Sequence, residues 1–372
     1  MKDLVIDRAE VFVVGPDTER YVWAEGMSEQ FMTNTIVRLT TKDGAEGIAG
    51  AAMINPHNFD RSVGETLRFM LPDLIGRSAL EREAVWDAMR DRGTPTIPQA
   101  LSLIDIALWD MAAKSAGMPL YQFLGGARSK ILSYASTPGL PSVEEYIEYV
   151  ERCASEGYKA VKFHCWCVPE LDLPMCETLH RHFEGRGIDF MLDVEQRYDF
   201  RAALKVGKAC GEMGFGWFEA PLPDFDAEGY RRLTRDTGVP IIPAGNSWLN
   251  LQQIELALKN DLWSAARVDA TICGGITPLR KIMALAEAHT MNVEIQCWGY
   301  TLTQAANLHV MLAYRNCTYF EQPPYEAFEY GSHDVIRTDG AGYVHAPPGD
   351  GLGIAVDWPA IEAAALLKYE VR

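Results

Sequence analysis

Seven polar residues recur along the chain, each at the end of a short apolar run: His164, Asp193, Glu219, Asn246, Asp269, Gln296 and Glu321. Lys162 precedes the first of them, so an amine and an imidazole stand two residues apart at the end of Gly157-Tyr-Lys-Ala-Val-Lys-Phe-His164. On a strand that spacing puts both side chains on one face. A cation beside His164 is expected to lower its pKa, and a neutral imidazole can take up a proton near pH 7. The chemistry on offer is proton transfer among carboxylates.

The elements that must position these residues follow from their spacing. From His164 the steps to the next polar residues are 29, 26, 27, 23, 27 and 25 residues. Each step holds one strand and one helix, and repeated alternation of this kind predicts a parallel sheet closed into a (β/α) barrel. The polar residues then stand at the carboxyl ends of the strands, where such barrels carry their active sites. Ile131–Ala135 is expected as the first barrel strand. Ser142–Glu156 is its amphipathic helix, with Ser142 as N-cap and Glu145 completing a capping box. Ahead of the barrel, the opening residues, Phe31–Thr40 and Ala45–Ala52 read as strands, with Thr41-Lys-Asp-Gly44 as a hairpin turn. Gln99–Ala116 reads as a helix, its apolar residues recurring at three- and four-residue steps. The expected division is an α+β domain over 1–126, the barrel over 127–330 and a tail over 331–372 that returns to the first domain. That tail is expected to end in a helix over Trp358–Leu367.

The chain has 372 residues, long enough for a barrel of roughly 250 residues and a second domain. A net charge of −17 argues against nucleic acid or an anionic membrane as the main partner. Eight cysteines without a Cys-x-x-Cys pair suggest no ordinary zinc site and a reducing compartment. No apolar run is long enough to span a bilayer. The expectation is a soluble, cytoplasmic protein.

Ala100-Leu-Ser-Leu-Ile-Asp-Ile-Ala-Leu-Trp-Asp110, continued to Gly125-Gly126, resembles the mandelate racemase branch of the enolase superfamily. Trp217-Phe-Glu219-Ala-Pro221, Arg267-Val-Asp269 and Gly274-Gly275-Ile-Thr277 extend the likeness over essentially the whole chain. The resemblance implies an α+β capping domain over a (β/α)7β TIM-like barrel, with one Mg²⁺ at the barrel mouth. It further implies a carboxylate substrate whose α-proton is removed by a base, and symmetric homo-oligomers. Asp193 and Glu219 match the first two metal ligands of that family, and hard oxygens suit Mg²⁺. Asn246 falls where a third carboxylate is usual, and its amide can coordinate but brings no charge. Glu195 is then either a compensating ligand, on the face of Asp193 by period two, or an acid facing the substrate. Lys162 and His164 match a Lys-x-Lys pair, which makes His164 the base and Lys162 its electrostatic neighbour. Asp269 matches the Asp of a His–Asp dyad, but the partner position is Gln296, which orients a hydroxyl and cannot shuttle a proton. Glu321 matches a residue beside the substrate carboxylate that can donate to the enediolate if protonated. Tyr21, Trp23, Asn55 and His57 on the capping loops, with Trp298 and Tyr300, are candidates for the pocket wall.

With a proton-transfer group on one face only, this set favours β-elimination over two-base racemisation. The expectation is an Mg²⁺-dependent dehydratase of sugar acids that gives a 2-keto-3-deoxy acid. The alternatives are an epimerase or lactone cycloisomerase of the same superfamily, and a non-catalytic sugar-acid binder in which the replaced ligand and dyad residues mark lost activity.

Overall fold

The computed structural model describes residues 4–18, 20, 22, 30–55, 59–92 and 97–372. The chain opens with strands β1 (Ile6–Val14), β2 (Phe31–Thr41) and β3 (Glu46–Asn55). Helices α1 (Ser62–Met70), α2 (Arg82–Arg92), α3 (Pro98–Ser115) and α4 (Leu120–Phe123) follow. The β2–β3 turn forms where expected, with the Gly44 N–H on the Thr41 carbonyl at 3.0 Å. Helix α3 is buried along nearly its whole length because it packs against β2 and β3 on one side and the barrel on the other. That placement explains why its sequence is apolar well beyond a single stripe.

The barrel begins with β4 (Lys130–Ser136), α5 (Val143–Glu156), β5 (Ala160–His164) and α6 (Pro169–His182). It continues through β6 (Asp189–Asp193), α7 (Phe200–Glu212), β7 (Trp217–Glu219) and α8 (Ala227–Asp236). Next come β8 (Ile241–Ile242), α9 (Leu251–Lys259), β9 (Ala265–Ala266) and α10 (Ile276–Ala288). The last unit is β10 (Asn292–Val293), α11 (Thr301–Ala313) and β11 (Tyr319–Gln322). Strands β4 to β8 pair in parallel in chain order, and β11 pairs with β4. Single backbone bonds bridge the two remaining gaps, from Ser264 N to Ile241 O at 2.8 Å and from Val293 N to Asn316 O at 2.8 Å. The Ser142 hydroxyl caps α5 by accepting from Glu145 N.

Several strands are shorter than their apolar runs. The run 239–245 yields only Ile241–Ile242 as a paired strand. Pro240 and Pro243 flank that pair, and neither has an N–H to give to a ladder. The tail departs more. After α12 (Tyr325–Phe328), strand β12 (Tyr343–His345) pairs antiparallel with β4. The expected terminal helix stops early, as α13 (Trp358–Ala363), and Ala365–Val371 is strand β13. It joins β1 antiparallel, giving the sheet order β13-β1-β2-β3. Residues 365–371 alternate in burial with period two, the pattern of a strand with one face covered.

Candidate active site

Strands β5, β6 and β7 run in register, with His164 beside Asp193 and Asp193 beside Glu219. Their side chains meet at the mouth of the barrel in a cavity of about 530 Å³. Lys162 is 1% exposed, and its ammonium lies 3.2 Å from Asp193 Oδ2, 3.0 Å from Glu219 Oε1 and 2.9 Å from Glu321 Oε1. Burial works against this charge, but the carboxylates led by Glu219 and Glu321 outweigh it and raise the lysine pKa.

A second buried cation, not singled out from the sequence, completes the cluster. Arg267 Nε is 2.7 Å from Glu219 Oε1, and an Nη lies 2.9 Å from Glu321 Oε2. Again burial opposes the charge, and Glu219 and Glu321 more than compensate. Arg267 sits one residue beyond β9 within the Arg-Val-Asp motif. An arginine amid so apolar a run was the available signal, since a cation in a barrel core needs anions around it. Glu321 also accepts from Cys297 N at 3.0 Å, Ser136 Oγ at 3.1 Å and Trp298 Nε1 at 3.1 Å. Burial would push its carboxyl up, yet Arg267 and Lys162 hold it well below the usual range. Arg267 and Lys162 thus favour Glu321 as a carboxylate, the form that accepts hydrogen bonds rather than donating one.

The His164 ring is fixed from behind. Its Nδ1 lies 2.6 Å from the Thr137 carbonyl, so Nδ1 carries a proton there. Its Nε2 points to Asp193 Oδ2 at 3.4 Å and Glu195 Oε1 at 3.5 Å. Burial and Lys162 lower the imidazole pKa, but the bond to Asp193 and the charges of Asp193 and Glu195 prevail, and the pKa is raised. The expected lowering by Lys162 is thus overridden by carboxylates. Trp298 meets the His164 ring edge-on, 5.4 Å between centroids.

Glu195 reaches the site by a different route from the one the period-two reading suggested. β6 ends at Asp193, and Glu195 and Gln196 adopt left-handed backbone at φ 49° and 61°. Such conformations cost non-glycine residues about 1–3 kcal/mol and are held by surrounding structure. Here Gln196 N bonds Ala220 O at 2.8 Å, and Glu195 N bonds Asp193 Oδ1 at 3.0 Å. The turn brings Glu195 back over Asp193 and His164. Burial, and then Asp193, pushes its carboxyl up to about 7.

The two departures from the family pattern touch each other. Gln296 Nε2 donates to Asn246 Oδ1 at 3.0 Å and approaches Gly245 O at 3.4 Å. Asp269 lines the same cavity but is held by Thr271 N at 2.6 Å, Thr271 Oγ1 at 2.9 Å and Asn307 Nδ2 at 2.8 Å. His289, the exposed C-cap of α10, lies outside the cavity. Of the expected wall residues, Trp298 lines the cavity. Tyr300 is buried against Phe328 and Tyr330 and packs instead of lining it. Tyr21, Trp23, His57 and the side chain of Asn55 lie outside the described residues. The capping domain supplies Ala52, Met53 and Ile54 of β3, with Gln30, Pro98 and Gln99, to the wall. These were not foreseen, because β3 and the start of α3 carry no chemical signature.

The donor set suits a divalent ion. One ligand atom each of His164, Asp193 and Glu195 lie within 4.8 Å of one another. Asp193 and Glu195 bring the charged oxygens that a hard cation takes, beside the imidazole nitrogen of His164.

Two family models match the chain: mandelate racemase / muconate lactonizing enzyme, N-terminal domain, over residues 8–125, and enolase C-terminal domain-like over 145–360. The chain belongs to the mandelate racemase branch of the enolase superfamily. A solved mandelate racemase/muconate lactonizing-type structure from Pseudovibrio sp. is 45% identical, with TM-score 0.97 and 99% of each chain covered. A D-mannonate dehydratase of Caulobacter sp. (strain K31) is 28% identical over 366 residues, covering 86% of this chain and 88% of that protein. D-glucarate dehydratase from Agrobacterium tumefaciens, solved in complex with magnesium, is 26% identical with TM-score 0.86, covering 98% and 100% of the two chains. The capping domain lies over the carboxyl face of the barrel, with β3 and the start of α3 lining the cavity.

Proposed function

We propose that this protein is an Mg²⁺-dependent dehydratase of sugar acids (aldonates or aldarates), using His164 as its one acid/base group. The observation that carries the reading is the fixed ring of His164, with Nδ1 on the Thr137 carbonyl and Nε2 turned to the carboxylates of the cavity. Asp193 and Glu195, with Glu219 at the next strand end, would hold the ion. When bound, the ion would draw charge from the substrate carboxylate and so acidify the α-proton. His164 Nε2 takes that proton and returns it to the departing β-hydroxyl on the same face. The resulting enol becomes a 2-keto-3-deoxy acid. Lys162 and Arg267 keep Glu219 and Glu321 from repelling one another and the substrate. Relatives named as sugar-acid dehydratases support the substrate class.

Among the described residues no helix is long and apolar enough to cross a membrane, and the eight cysteines are free thiols. A cytoplasmic location belongs to this reading, and free thiols suit a reducing compartment. Assembly as a homo-oligomer belongs to the reading as well.

The test is proton NMR in D₂O with Mg²⁺ against a panel of aldonates, aldarates and their lactones. The expected result is loss of one α-proton signal with appearance of a 2-keto-3-deoxy acid. Exchange or rearrangement without loss of water would replace the reading by an epimerase or cycloisomerase. Silence together with no Mg²⁺ binding would leave a non-catalytic relative.

A further inference from the structure

The pair Asn246–Gln296 has a geometry that neither family role explains. β8 ends at Ile242, so Asn246 is not presented by a strand end as Asp193 and Glu219 are. The chain instead turns at Gly245, φ +78°, where a Cβ would stand 2.9 Å from the Arg267 side chain. The turn is pinned from below by the buried Asp224, whose Oδ1 accepts from Ala244 N at 3.0 Å. Asn246 thereby projects, exposed, into the cavity. Its amide oxygen accepts from Gln296 Nε2 at 3.0 Å, and the same nitrogen faces Gly245 O at 3.4 Å.

An amide pair joined in this way directs the protons of Gln296 Nε2 to Asn246 Oδ1 and Gly245 O, and one lone pair of Asn246 Oδ1 to Gln296. Among the described residues, Asn246 Nδ2 and Gln296 Oε1 have no other partner. They present the cavity with a two-proton donor and an acceptor, side by side and uncharged. A hydroxyl group both donates and accepts, so two neighbouring hydroxyls match this pair. A divalent ion gains less from it: Asn246 Oδ1 already gives one of its two lone pairs to Gln296, and the pair brings no negative charge.

We propose that Asn246 and Gln296 act as one specificity unit that reads substrate hydroxyls, and that Asn246 is not a ligand of the ion. This rests on the sugar-acid reading and deepens it. The unit selects polyhydroxylated acids over short hydroxy acids that carry the same carboxylate and α-hydroxyl but lack the rest of the chain. A site built to bond hydroxyls rejects ligands without them because its polar atoms are then left unpaired.

The experiment has two arms on the full-length protein. Mn²⁺ binding, read by water-proton relaxation, is measured for wild type, Asn246→Ala, Gln296→Ala and Asp193→Asn. D-Gluconate and lactate binding, in saturating Mn²⁺, is then measured by calorimetry for wild type, the two alanine variants and the double variant. Asn246→Ala and Gln296→Ala should keep Mn²⁺ affinity within about threefold, whereas Asp193→Asn should lose it by at least about tenfold. Each alanine variant should weaken gluconate about tenfold and leave lactate unchanged, and the double variant should be little worse than either single one, as for residues in one network. A loss of Mn²⁺ affinity in Asn246→Ala would make it a ligand and overturn the proposal. So would unaltered gluconate affinity in both variants. Failure of the underlying sugar-acid reading looks different: the wild type itself would bind Mn²⁺ and not prefer gluconate to lactate.

Discussion

At the scale of single residues, the site turns on what surrounds one imidazole. His164 is framed by an amine, two carboxylates and an indole, and its tautomer is set by a backbone carbonyl. Its Nε2 is close enough to Asp193 and Glu195 to be read in two ways, as a base beside the ion or as a ligand of it. The proposed function requires the first. We therefore predict that His164→Asn lowers the rate of α-proton exchange by at least about a hundredfold, the range expected for loss of a positioned acid/base group. Its Mn²⁺ affinity should fall by no more than about tenfold, the loss of an outer partner of Asp193 rather than of a ligand. Exchange rates by NMR and Mn²⁺ titration of the same sample decide the matter, and a parallel collapse of metal affinity would make His164 a ligand. Much of this site was legible in the sequence, because His164, Asp193, Glu219, Asp269 and Glu321 each close an apolar run and Lys162 stands two residues before the first. What was not legible was charge balance. Spacing locates carboxylates but does not say that Arg267 and Lys162 neutralise them, nor that Glu321 stays ionised as a result. Glu195 was placed near Asp193 for the wrong reason: a left-handed turn brings it there, and strand alternation does not.

At the scale of elements, the motif residues of α3 and those at 274–277 do no chemistry; they fasten the capping domain to the barrel. Asp105 of α3 caps α10 across the domain boundary, accepting from Thr277 N at 2.9 Å and Thr277 Oγ1 at 2.5 Å. Trp109 Nε1 donates to the same hydroxyl at 2.9 Å, and Ser102 Oγ accepts from Gly274 N at 3.0 Å. The carboxylate can approach only because residue 275 lacks a side chain. At Gly275, φ +108°, a Cβ would stand 2.3 Å from Asp105 Oδ2. Gly275→Ala should therefore destabilise the protein by about 3 kcal/mol, combining left-handed strain with overpacking of a buried carboxylate. Urea denaturation monitored by tryptophan fluorescence would check this, and an unchanged midpoint would mean that Asp105 moves aside without loss. The order of elements could be read from the alternation alone. Their ends could not, and the reasons are local: Pro240 and Pro243 cut β8 to two residues, and residues 365–371 trade helix for strand because β1 offers them a free edge. That pairing partner lies more than 350 residues earlier in the chain, beyond the reach of any window on the sequence.

At the scale of the whole molecule, three separated segments are tied together by one buried histidine outside the active site. His309 of α11 accepts at Nδ1 from Tyr121 N of α4, at 3.0 Å, and its Nε2 lies 3.1 Å from Leu352 O in the tail. Both bonds can be made only by the neutral ring with its proton on Nε2; a proton on Nδ1 would face the Tyr121 N–H. Burial accordingly pushes this imidazole down to about 4, with the Leu352 carbonyl pulling weakly the other way. The unfolded chain, with an ordinary value near 6.5, binds this proton more readily than the folded one. The stability His309 contributes is thus fully present above about pH 6.5 and is lost as pH falls towards 4, on the order of 3 kcal/mol in all. Buried carboxyls act in the opposite sense. Asp105, raised to about 7 by burial, favours the folded state at low pH and loses that contribution as pH rises. The wild-type profile alone is therefore a sum of opposed terms, and the informative quantity is a difference. Glutamine can accept and donate at the same two positions but does not titrate in this range. Urea midpoints measured from pH 7.5 to 5 should fall more for the wild type than for His309→Gln, the gap between the two curves closing as the pH drops. Parallel curves would show that the ring is free to ionise in the folded protein, and that the junction of α4, α11 and the tail does not depend on its neutrality.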